Sequence, residues 1–126
     1  MGAGIAKQIK QRFPQAFEAD KIAKDNNQHD LGNYSAARVL LDDGSALVIV
    51  NAYIQESISR TEKMLDESAL QSVFEKVKVN FAGAHIAYPA IGAGLSGGDW
   101  STNKQIIDQA LKGENHTYVE FASEPV

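Results

Sequence analysis

The chain has 126 residues, of which 44% are hydrophobic and 22% are charged; this balance predicts a single globular domain over residues 1–126 and excludes an intrinsically disordered chain. The net charge of −4 without a basic stripe argues against nucleic-acid binding by backbone attraction, and the absence of cysteine excludes disulfides, thiolate metal ligands and cysteine nucleophiles. Because no apolar run reaches the length of a membrane helix and the first residues lack signal-peptide features, we expect a cytoplasmic protein that does not bind membranes.

The first predicted element is an amphipathic helix that starts just after the N-terminal glycines. Ile5, Ile9 and Phe13 recur at a spacing of four residues, with polar and basic residues between them. Pro14 is expected to end this helix. Only a short turn of helix is expected over residues 15–22, followed by a polar loop.

Two strands joined by a hairpin are predicted next, over residues 35–41 and 46–52. The sequence Asp42-Asp43-Gly44-Ser45 between them is a hairpin signal, since Asp-Gly tolerates a positive φ. The second strand is almost continuously apolar, which predicts burial on both faces.

The second half of the chain alternates helices and strands. A helix is predicted over residues 66–81, a strand over 85–91 and a final strand over 116–121. Another helix lies before that last strand and is expected to end at Gly113. The apolar faces of the two helices consist of Ala69, Leu70, Val73, Phe74 and Val77, and of Ile106, Ile107, Ala110 and Leu111. This alternation predicts an α/β fold with helices on both faces of the sheet.

Two glycine-rich segments stand out, and each precedes a predicted helix. They are Met1-Gly2-Ala3-Gly4-Ile5-Ala6 and Ile91-Gly92-Ala93-Gly94-Leu95-Ser96-Gly97-Gly98-Asp99-Trp100. Glycines let main-chain N–H groups approach a ligand, and a helix N-terminus favours an anion, so two such loops could hold a diphosphate. Neither matches a Walker A or a dinucleotide-binding motif. A tight connection without a ligand remains the alternative for each segment.

These segments resemble the two ligand loops of the macrodomain family. The match includes the basic helix that ends in Arg12-Phe13-Pro14 and the stretch that begins at Tyr88-Pro89. The most similar branch contains small ADP-ribose 1''-phosphate phosphatases and the terminal ADP-ribose protein glycohydrolase, with many bacterial and phage members. The resemblance covers essentially the whole chain. It implies a three-layer αβα sandwich with a mixed central sheet and an ADP-ribose cleft at one end of that sheet.

The resemblance also implies which residues bind ADP-ribose. The first loop would meet the distal ribose and the diphosphate, the second would wrap the diphosphate, and polar side chains after the apolar strand would line the adenosine side or the rim. The residues concerned are Gly2, Ala3, Gly4 and Ile5, then Gly92, Ala93, Gly94, Leu95 and Ser96, and finally Asn51, Tyr53 and Gln55.

The chain departs from the family at the positions expected to do chemistry. The glycohydrolase has an acidic residue in place of Ser96 and a catalytic lysine in the strand that corresponds to residues 48–52, and neither is present here. Asp99 is the only carboxylate of the second loop, and we expect it to activate water as a general base. The alternative role for Asp99 is capping the last helix, and the two roles are compatible.

Family members carry two further strands before the residue that corresponds to Met1, one of them central in the sheet. We therefore expect a macrodomain fold that lacks its first two strands. Three outcomes are open: the flanking strands pair directly, a second copy fills the gap in a homo-oligomer, or the natural protein starts earlier. An unfilled gap would leave buried main-chain groups without partners.

Three functions follow from these features. The first is hydrolysis of ADP-ribose 1''-phosphate or a related ADP-ribosyl ester. The second is binding of ADP-ribose or another nucleotide without turnover, and the third is an interaction role for a self-associating, remodelled macrodomain. No cofactor or metal is expected, because His29, His85 and His116 share no metal-ligand spacing; His85 and His116 are expected to be structural.

Overall fold

The computed structural model describes residues 4–54, 66–91 and 99–119, with only the backbone described for residues 4–6. The chain divides into two compact units, Met1–Tyr53 and Ile54–Val126. Among the described residues, each unit contains two helices and two strands.

The first unit begins with two helices that meet at Phe13. Helix α1 spans Gly4–Arg12 and helix α2 spans Pro14–Asp25. The expected end of the first helix before Pro14 is confirmed, but the expectation of only a short turn after it is wrong. Pro14 is the first residue of a 12-residue helix. Proline suits this position because its φ is already helical and the N–H it lacks would have no partner there.

Helix α2 packs on the two strands that follow it. Ala16, Asp20 and Ala23 are its buried residues, and their spacing places them on one face of the helix. Two of the three are alanines, which allow a close approach to the sheet. The third is a carboxylate that needs a partner because it is only 7% exposed.

A two-stranded antiparallel hairpin completes the first unit. Strand β1 spans Tyr34–Leu40 and strand β2 spans Ala46–Ala52, with Tyr34 opposite Ala52 and Leu40 opposite Ala46. Gly44 adopts φ 87° in the turn, and Oδ1 of Asp43 accepts a hydrogen bond from the Ser45 N–H at 2.9 Å. The predicted hairpin is therefore confirmed.

The expectation that β2 is buried on both faces is wrong. Ala46, Leu47 and Val48 are exposed and the rest of the strand is half-buried. Among the strands of the described residues, β2 pairs with β1 alone. Helix α2 packs on only one face of this hairpin. Within the described part of the first unit, some apolar side chains of β2 are therefore left exposed.

The hydrogen-bonding pattern of the hairpin shows which edge of β2 has no partner strand among the described residues. The Leu41 N–H donates to the Ser45 carbonyl at 2.8 Å, and the Tyr53 N–H donates to the Asn33 carbonyl at 3.0 Å. With this register, the odd-numbered residues of β2 exchange hydrogen bonds with β1, and the even-numbered ones direct their main-chain groups away from it. Those outward groups belong to Ala46, Val48, Val50 and Ala52.

The second unit is built on two helices that pack against each other, α3 (Glu67–Asn80) and α4 (Trp100–Ala110). The predicted apolar face of α3 is confirmed, because all five of its residues are buried. On α4, Ile107 is fully buried, as is Leu111 just after the helix. Asp66 caps α3, since its Oδ1 accepts a hydrogen bond from the Ala69 N–H at 2.9 Å.

Two short strands complete the second unit. Strand β3 (Ile86–Tyr88) pairs in parallel with strand β4 (His116–Tyr118). Both are shorter than predicted: β3 ends at Tyr88, directly before Pro89, and β4 ends at Tyr118, while residues from 120 onward lie outside the described ranges. Helix α4 ends at Ala110 with Leu111 as its C-cap, so the prediction that Gly113 caps the helix is wrong by two residues; Gly113 instead adopts φ 89° in the turn that follows. No helix in the described ranges is long and apolar enough to cross a membrane.

Candidate functional site

The two glycine-rich segments stand directly before the N-termini of α1 and α4. Helix α1 is described from Gly4 and helix α4 from Trp100. Neither helix has an acidic residue in its first turn, but at the start of α4 the N-cap carboxylate of Asp99 already accepts the Ser101 N–H, which partly offsets the positive end of that helix dipole. Predicted ligand-binding residues that lie outside the described residues are Gly2, Ala3, Gln55, Gly92, Ala93, Gly94, Leu95 and Ser96.

Gly4 and Ile5 are the first two residues of α1. Their backbone is helical, as expected for a loop that leads into a helix, and their side-chain environment lies outside what the structure describes. Their contact with a ligand stays a prediction.

Asp99 is the N-cap of α4. Its Oδ1 accepts a hydrogen bond from the Ser101 N–H at 3.1 Å, and its Oδ2 accepts one from Thr102 Oγ1 at 3.1 Å. The side chain is exposed. A carboxylate has about four lone-pair positions, so these two bonds leave acceptor capacity for a water molecule.

Asn103 links the two ends of the second glycine-rich segment. Its main-chain N–H donates to the Asp99 carbonyl at 2.9 Å, and its side-chain Nδ2 donates to the Ile91 carbonyl at 3.2 Å. Asn103 is fully buried, and its Oδ1 has no hydrogen-bond partner in the described part of the chain. Asn103 is not among the site residues predicted from the sequence, although a polar residue among the apolar positions of an amphipathic helix is a visible signal.

Asn51 and Tyr53 take part in a hydrogen-bond network inside the first unit. Asn51 Nδ2 donates to the Ala16 carbonyl at 3.0 Å and to Ser35 Oγ at 3.1 Å. Ser35 Oγ lies 2.7 Å from Tyr53 Oη, and Tyr53 Oη donates to Asp20 Oδ1 at 2.8 Å. The structure thus brings these two predicted site residues together with Asp20 and Ser35, which the sequence analysis missed.

This network commits most of the polar capacity of Asn51 and Tyr53 to the protein. Both amide protons of Asn51 and the hydroxyl of Tyr53 have internal partners. The Asn51 carbonyl oxygen has no hydrogen bond among the described residues, whereas the Tyr53 ring meets the His29 ring edge-on, with 6.3 Å between centroids. Burial, reinforced by the neighbouring Asp20 carboxylate, raises the pKa of Tyr53 to about 12. The negative charge of Asp20 is also compensated by Lys24, whose Nζ lies 3.1 Å from Asp20 Oδ2.

Aromatic residues cluster around the start of α4 in the second unit. The Trp100 ring lies 4.9 Å from the Tyr118 ring and 6.5 Å from the Tyr88 ring, between centroids. Tyr88 Oη lies 2.8 Å from His116 Nδ1, and His85 Nε2 lies 2.7 Å from Thr117 Oγ1. These contacts agree with structural roles for both histidines. No group of three potential metal ligands occurs within the described ranges.

The family model described as Macro domain matches residues 1–107. The chain belongs to the macro domain family. This match includes both glycine-rich segments, the whole of α1 and most of α4. No curated protein matches the chain.

Solved structures support the same assignment at the level of the fold. This macrodomain is similar to the macrodomain of Thermus aquaticus DarG, with a TM-score of 0.73 and 23% identity over 97% of this chain and 82% of that one. It is also similar to the macrodomain of Mycobacterium tuberculosis DarG, with a TM-score of 0.71 and 22% identity over 98% of this chain and 82% of that one. The predicted macrodomain-like α/β fold is therefore confirmed.

Proposed function

We propose that this macrodomain binds ADP-ribose through its two glycine-rich segments and hydrolyses ADP-ribose 1''-phosphate or a related ADP-ribosyl ester. The observation that carries the proposal is the family match, which spans both segments. Macrodomains as a family bind ADP-ribose or its derivatives. The two helix N-termini support the proposal, since main-chain N–H groups there favour a diphosphate.

The binding residues of the proposal are those of the two segments. Gly2, Ala3, Gly4 and Ile5 form the first set, and Gly92, Ala93, Gly94, Leu95 and Ser96 form the second. A bulky side chain at Gly94 should prevent the close approach of the main chain to the diphosphate. Gly94→Val is therefore expected to abolish ADP-ribose binding, whereas Gly44→Ala, in the hairpin turn, should leave it unchanged.

Asp99 is the general base of the proposed hydrolysis. It would accept a proton from a water molecule that attacks the 1''-phosphorus, forming a water O–P bond as the bond between phosphorus and the ribose oxygen breaks. The proton then passes to the ribose oxygen, giving ADP-ribose and inorganic phosphate. The lone pairs not used by Ser101 and Thr102 leave room for this water.

Asp99→Asn is the sharpest test of the enzymatic part. Asparagine keeps the helix cap but cannot act as a base. Phosphate release from ADP-ribose 1''-phosphate should fall by about 100-fold or more, while ADP-ribose affinity stays within about threefold. Asp66→Asn, the same exchange at the cap of α3, should change neither value. Wild-type turnover by Asp99→Asn would contradict the role of Asp99.

A wild-type protein that binds ADP-ribose and releases no phosphate would support the second reading, a binding module without turnover. The absence of a lysine in β2 removes one nucleophile that the resemblance associates with hydrolysis. Calorimetry and a phosphate-release assay on the same preparation separate the two readings.

Self-association is a further candidate role, favoured by the edge of β2 that has no partner strand among the described residues. Ala46, Val48, Val50 and Ala52 direct their main-chain groups away from β1, and the strand contains no charge. Uncharged edge strands pair readily with another strand. A second β2 in antiparallel orientation fits this edge, because pairing position 48 with 50 and 46 with 52 uses every outward group.

Sedimentation analysis of Val48→Pro tests this role. Proline removes an N–H that points away from β1, so the hairpin keeps its own hydrogen bonds. The wild type should sediment as a dimer and Val48→Pro as a monomer, with Val48→Thr as the matched control that keeps the N–H and stays dimeric. A monomeric wild type would contradict the interaction role.

A further inference from the structure

A chain of hydrogen bonds in the first unit connects the buried carboxylate of Asp20 to the side chain of Asn51. The Tyr53 hydroxyl donates to Asp20 Oδ1 at 2.8 Å. Ser35 Oγ lies 2.7 Å from Tyr53 Oη and 3.1 Å from Asn51 Nδ2. The chain thus runs from the middle of α2 to the last-but-one residue of β2, and Asn51 is one of the residues expected to bind the ligand.

The direction of every hydrogen bond in this chain is fixed by Asp20. An ionised carboxylate accepts and does not donate, and Asp20 forms an ion pair with Lys24, whose Nζ lies 3.1 Å from its other oxygen. Tyr53 therefore gives its one hydroxyl proton to Asp20. Burial raises the pKa of Tyr53 to about 12, so the phenol keeps that proton at neutral pH. Ser35 must then donate to Tyr53 Oη, and the oxygen of Ser35 accepts from Asn51 Nδ2.

The main chain of α2 imposes the same orientation on the Asn51 amide. The other proton of Nδ2 is donated to the Ala16 carbonyl at 3.0 Å, and a carbonyl oxygen can only accept. A flipped amide would place two acceptor oxygens against each other at this contact. Both protons of Nδ2 are thus committed, whereas Oδ1 has no hydrogen bond among the described residues. Asn51 is half-buried, so its side chain offers another molecule an acceptor and no donor.

We infer that Asn51 is a specificity-determining residue that accepts a hydrogen bond from a hydroxyl or amino group of ADP-ribose, and that Asp20 is a positioning residue that fixes the orientation of Asn51. This inference rests on the proposed function and on the expected place of Asn51 beside the ligand. ADP-ribose carries such donors on both ribose rings and on adenine. A group that can only accept, such as a diphosphate oxygen, does not fit this position. Asp20 has no ligand contact of its own and acts through Tyr53 and Ser35.

Calorimetric titration with three ligands tests the contact made by Asn51. Asn51→Ala should weaken ADP-ribose binding by about five- to tenfold, the effect of one lost hydrogen bond. The same variant is titrated with ADP, which lacks the distal ribose, and with the analogue that carries hypoxanthine, which lacks the amino group of adenine. An unchanged affinity of Asn51→Ala for ADP-ribose would overturn the contact.

The two analogues identify which donor of the ligand Asn51 accepts. If the loss of affinity disappears with ADP, the donor is a hydroxyl of the distal ribose. If it disappears with the hypoxanthine analogue, the donor is the amino group of adenine. A loss that persists with both ligands assigns the contact to the ribose of the adenosine half.

Ser35 and Asp20 test whether the chain positions Asn51, in variants that retain the asparagine and its bond to Ala16. Ser35→Ala removes the acceptor of one Nδ2 proton, so the side-chain amide protons of Asn51 should exchange with water about fivefold faster in the unliganded protein, as measured by NMR. Affinity for ADP-ribose should fall by a smaller factor than in Asn51→Ala. Ser35→Thr keeps the hydroxyl and should restore both values.

Asp20→Asn tests the origin of the direction. Asparagine has the same shape as aspartate but can donate as well as accept, so it no longer dictates the direction of the chain. The Asn51 amide protons should therefore exchange faster in this variant too. Unchanged exchange in both Ser35→Ala and Asp20→Asn would overturn the positioning role of Asp20.

Val39→Ala is the control for a loss of stability alone. Val39 is 2% exposed and lies on the same face of β1 as Ser35, and its truncation lowers stability. The melting temperature of this variant should fall, while ADP-ribose affinity and Asn51 amide exchange stay within about twofold of the wild type. Losses of affinity and amide protection equal to those of Ser35→Ala would show that the chain has only a structural role.

The exchange measurements separate failure of this inference from failure of the proposed function, because they need no ligand. A wild type that does not bind ADP-ribose, but in which Ser35→Ala and Asp20→Asn accelerate the exchange of the Asn51 amide protons, would retain the positioning by Asp20. The same result would overturn the contact with ADP-ribose together with the proposed function.

Discussion

The hydroxyl of Tyr53 donates a hydrogen bond to Oδ1 of Asp20 over 2.8 Å, which connects the residue after β2 to the middle of α2. Asp20 is 7% exposed, so its carboxylate depends on this donor and on Lys24 for compensation. Through Ser35, the same hydroxyl is linked to Asn51. This chain of contacts fixes the face of the hairpin that α2 covers.

Tyr53→Phe should destabilise the protein, because it leaves the Asp20 carboxylate without its hydroxyl donor. The expected loss is about 1–3 kcal/mol in the free energy of unfolding, measured by urea denaturation. Tyr118→Phe is the control, since the described residues offer no hydrogen bond to that hydroxyl and the variant should stay within about 0.5 kcal/mol. Equal effects of the two variants would contradict a specific Tyr53–Asp20 interaction.

The coupling between the two residues can be measured directly with a double-mutant cycle. Tyr53→Phe and Asp20→Ala are neighbours in one network, so their effects should not add. The double variant should be more stable than the sum of the single losses predicts, by about 1 kcal/mol. Simple additivity would show that the hydrogen bond contributes nothing to stability.

Alkaline pH should weaken the fold through Tyr53. Its pKa is raised to about 12 in the folded protein, above the ordinary value near 10, so the folded state favours the neutral phenol. The resulting stability is fully present below about pH 10 and is lost as the pH rises through about 12. Urea denaturation across this interval should show that the free energy of unfolding of the wild type decreases, and that the decrease is smaller in Tyr53→Phe.

The free energy of unfolding of Tyr53→Phe is still expected to decrease somewhat at alkaline pH, because burial also raises the pKa of Tyr88. If the free energy of unfolding decreased equally with pH in the wild type and in Tyr53→Phe, ionisation of Tyr53 would not be the cause. The comparison is independent of the stability difference at neutral pH, since only the slope with pH is used.

The N-cap of α3 gives a prediction away from any proposed ligand. Asp66 accepts the Ala69 N–H at 2.9 Å, and Asp66→Ala should lower the free energy of unfolding by about 1 kcal/mol. Asp66→Asn retains an acceptor and should lose much less. Thermal or urea denaturation of the wild type and the two variants measures these differences in stability. Equal losses of stability in Asp66→Ala and Asp66→Asn would show that the cap is not formed.

Local sequence signals predicted those elements that depend on local chemistry. The Asp43-Gly44 turn and the apolar face of α3 follow from turn and helix preferences, and the structure agrees. Helix α2 is longer than the sequence predicts, because Pro14 is the first residue of this helix and not only the end of the one before it. Its role as a first helical residue depends on the alanines and Asp20 that pack on the hairpin.

The candidate site was predictable only in part, for a physical reason. Glycine-rich segments before helices are visible in the sequence, but hydrogen bonds between distant residues are not. The bond from Asn103 to Ile91 and the network from Asn51 to Asp20 each join residues that are far apart in the chain. The apolar run of β2 indicated burial, whereas its exposure depends on which strands are its neighbours.

The most direct test of the account is calorimetric titration of the 126-residue chain with ADP-ribose, with Gly94→Val titrated in parallel and circular dichroism establishing that both are folded. We expect saturable, one-to-one, micromolar binding by the wild type and none by Gly94→Val. Absence of binding by the folded wild type, or equal binding by both proteins, would contradict the proposal that segment 92–98 holds ADP-ribose.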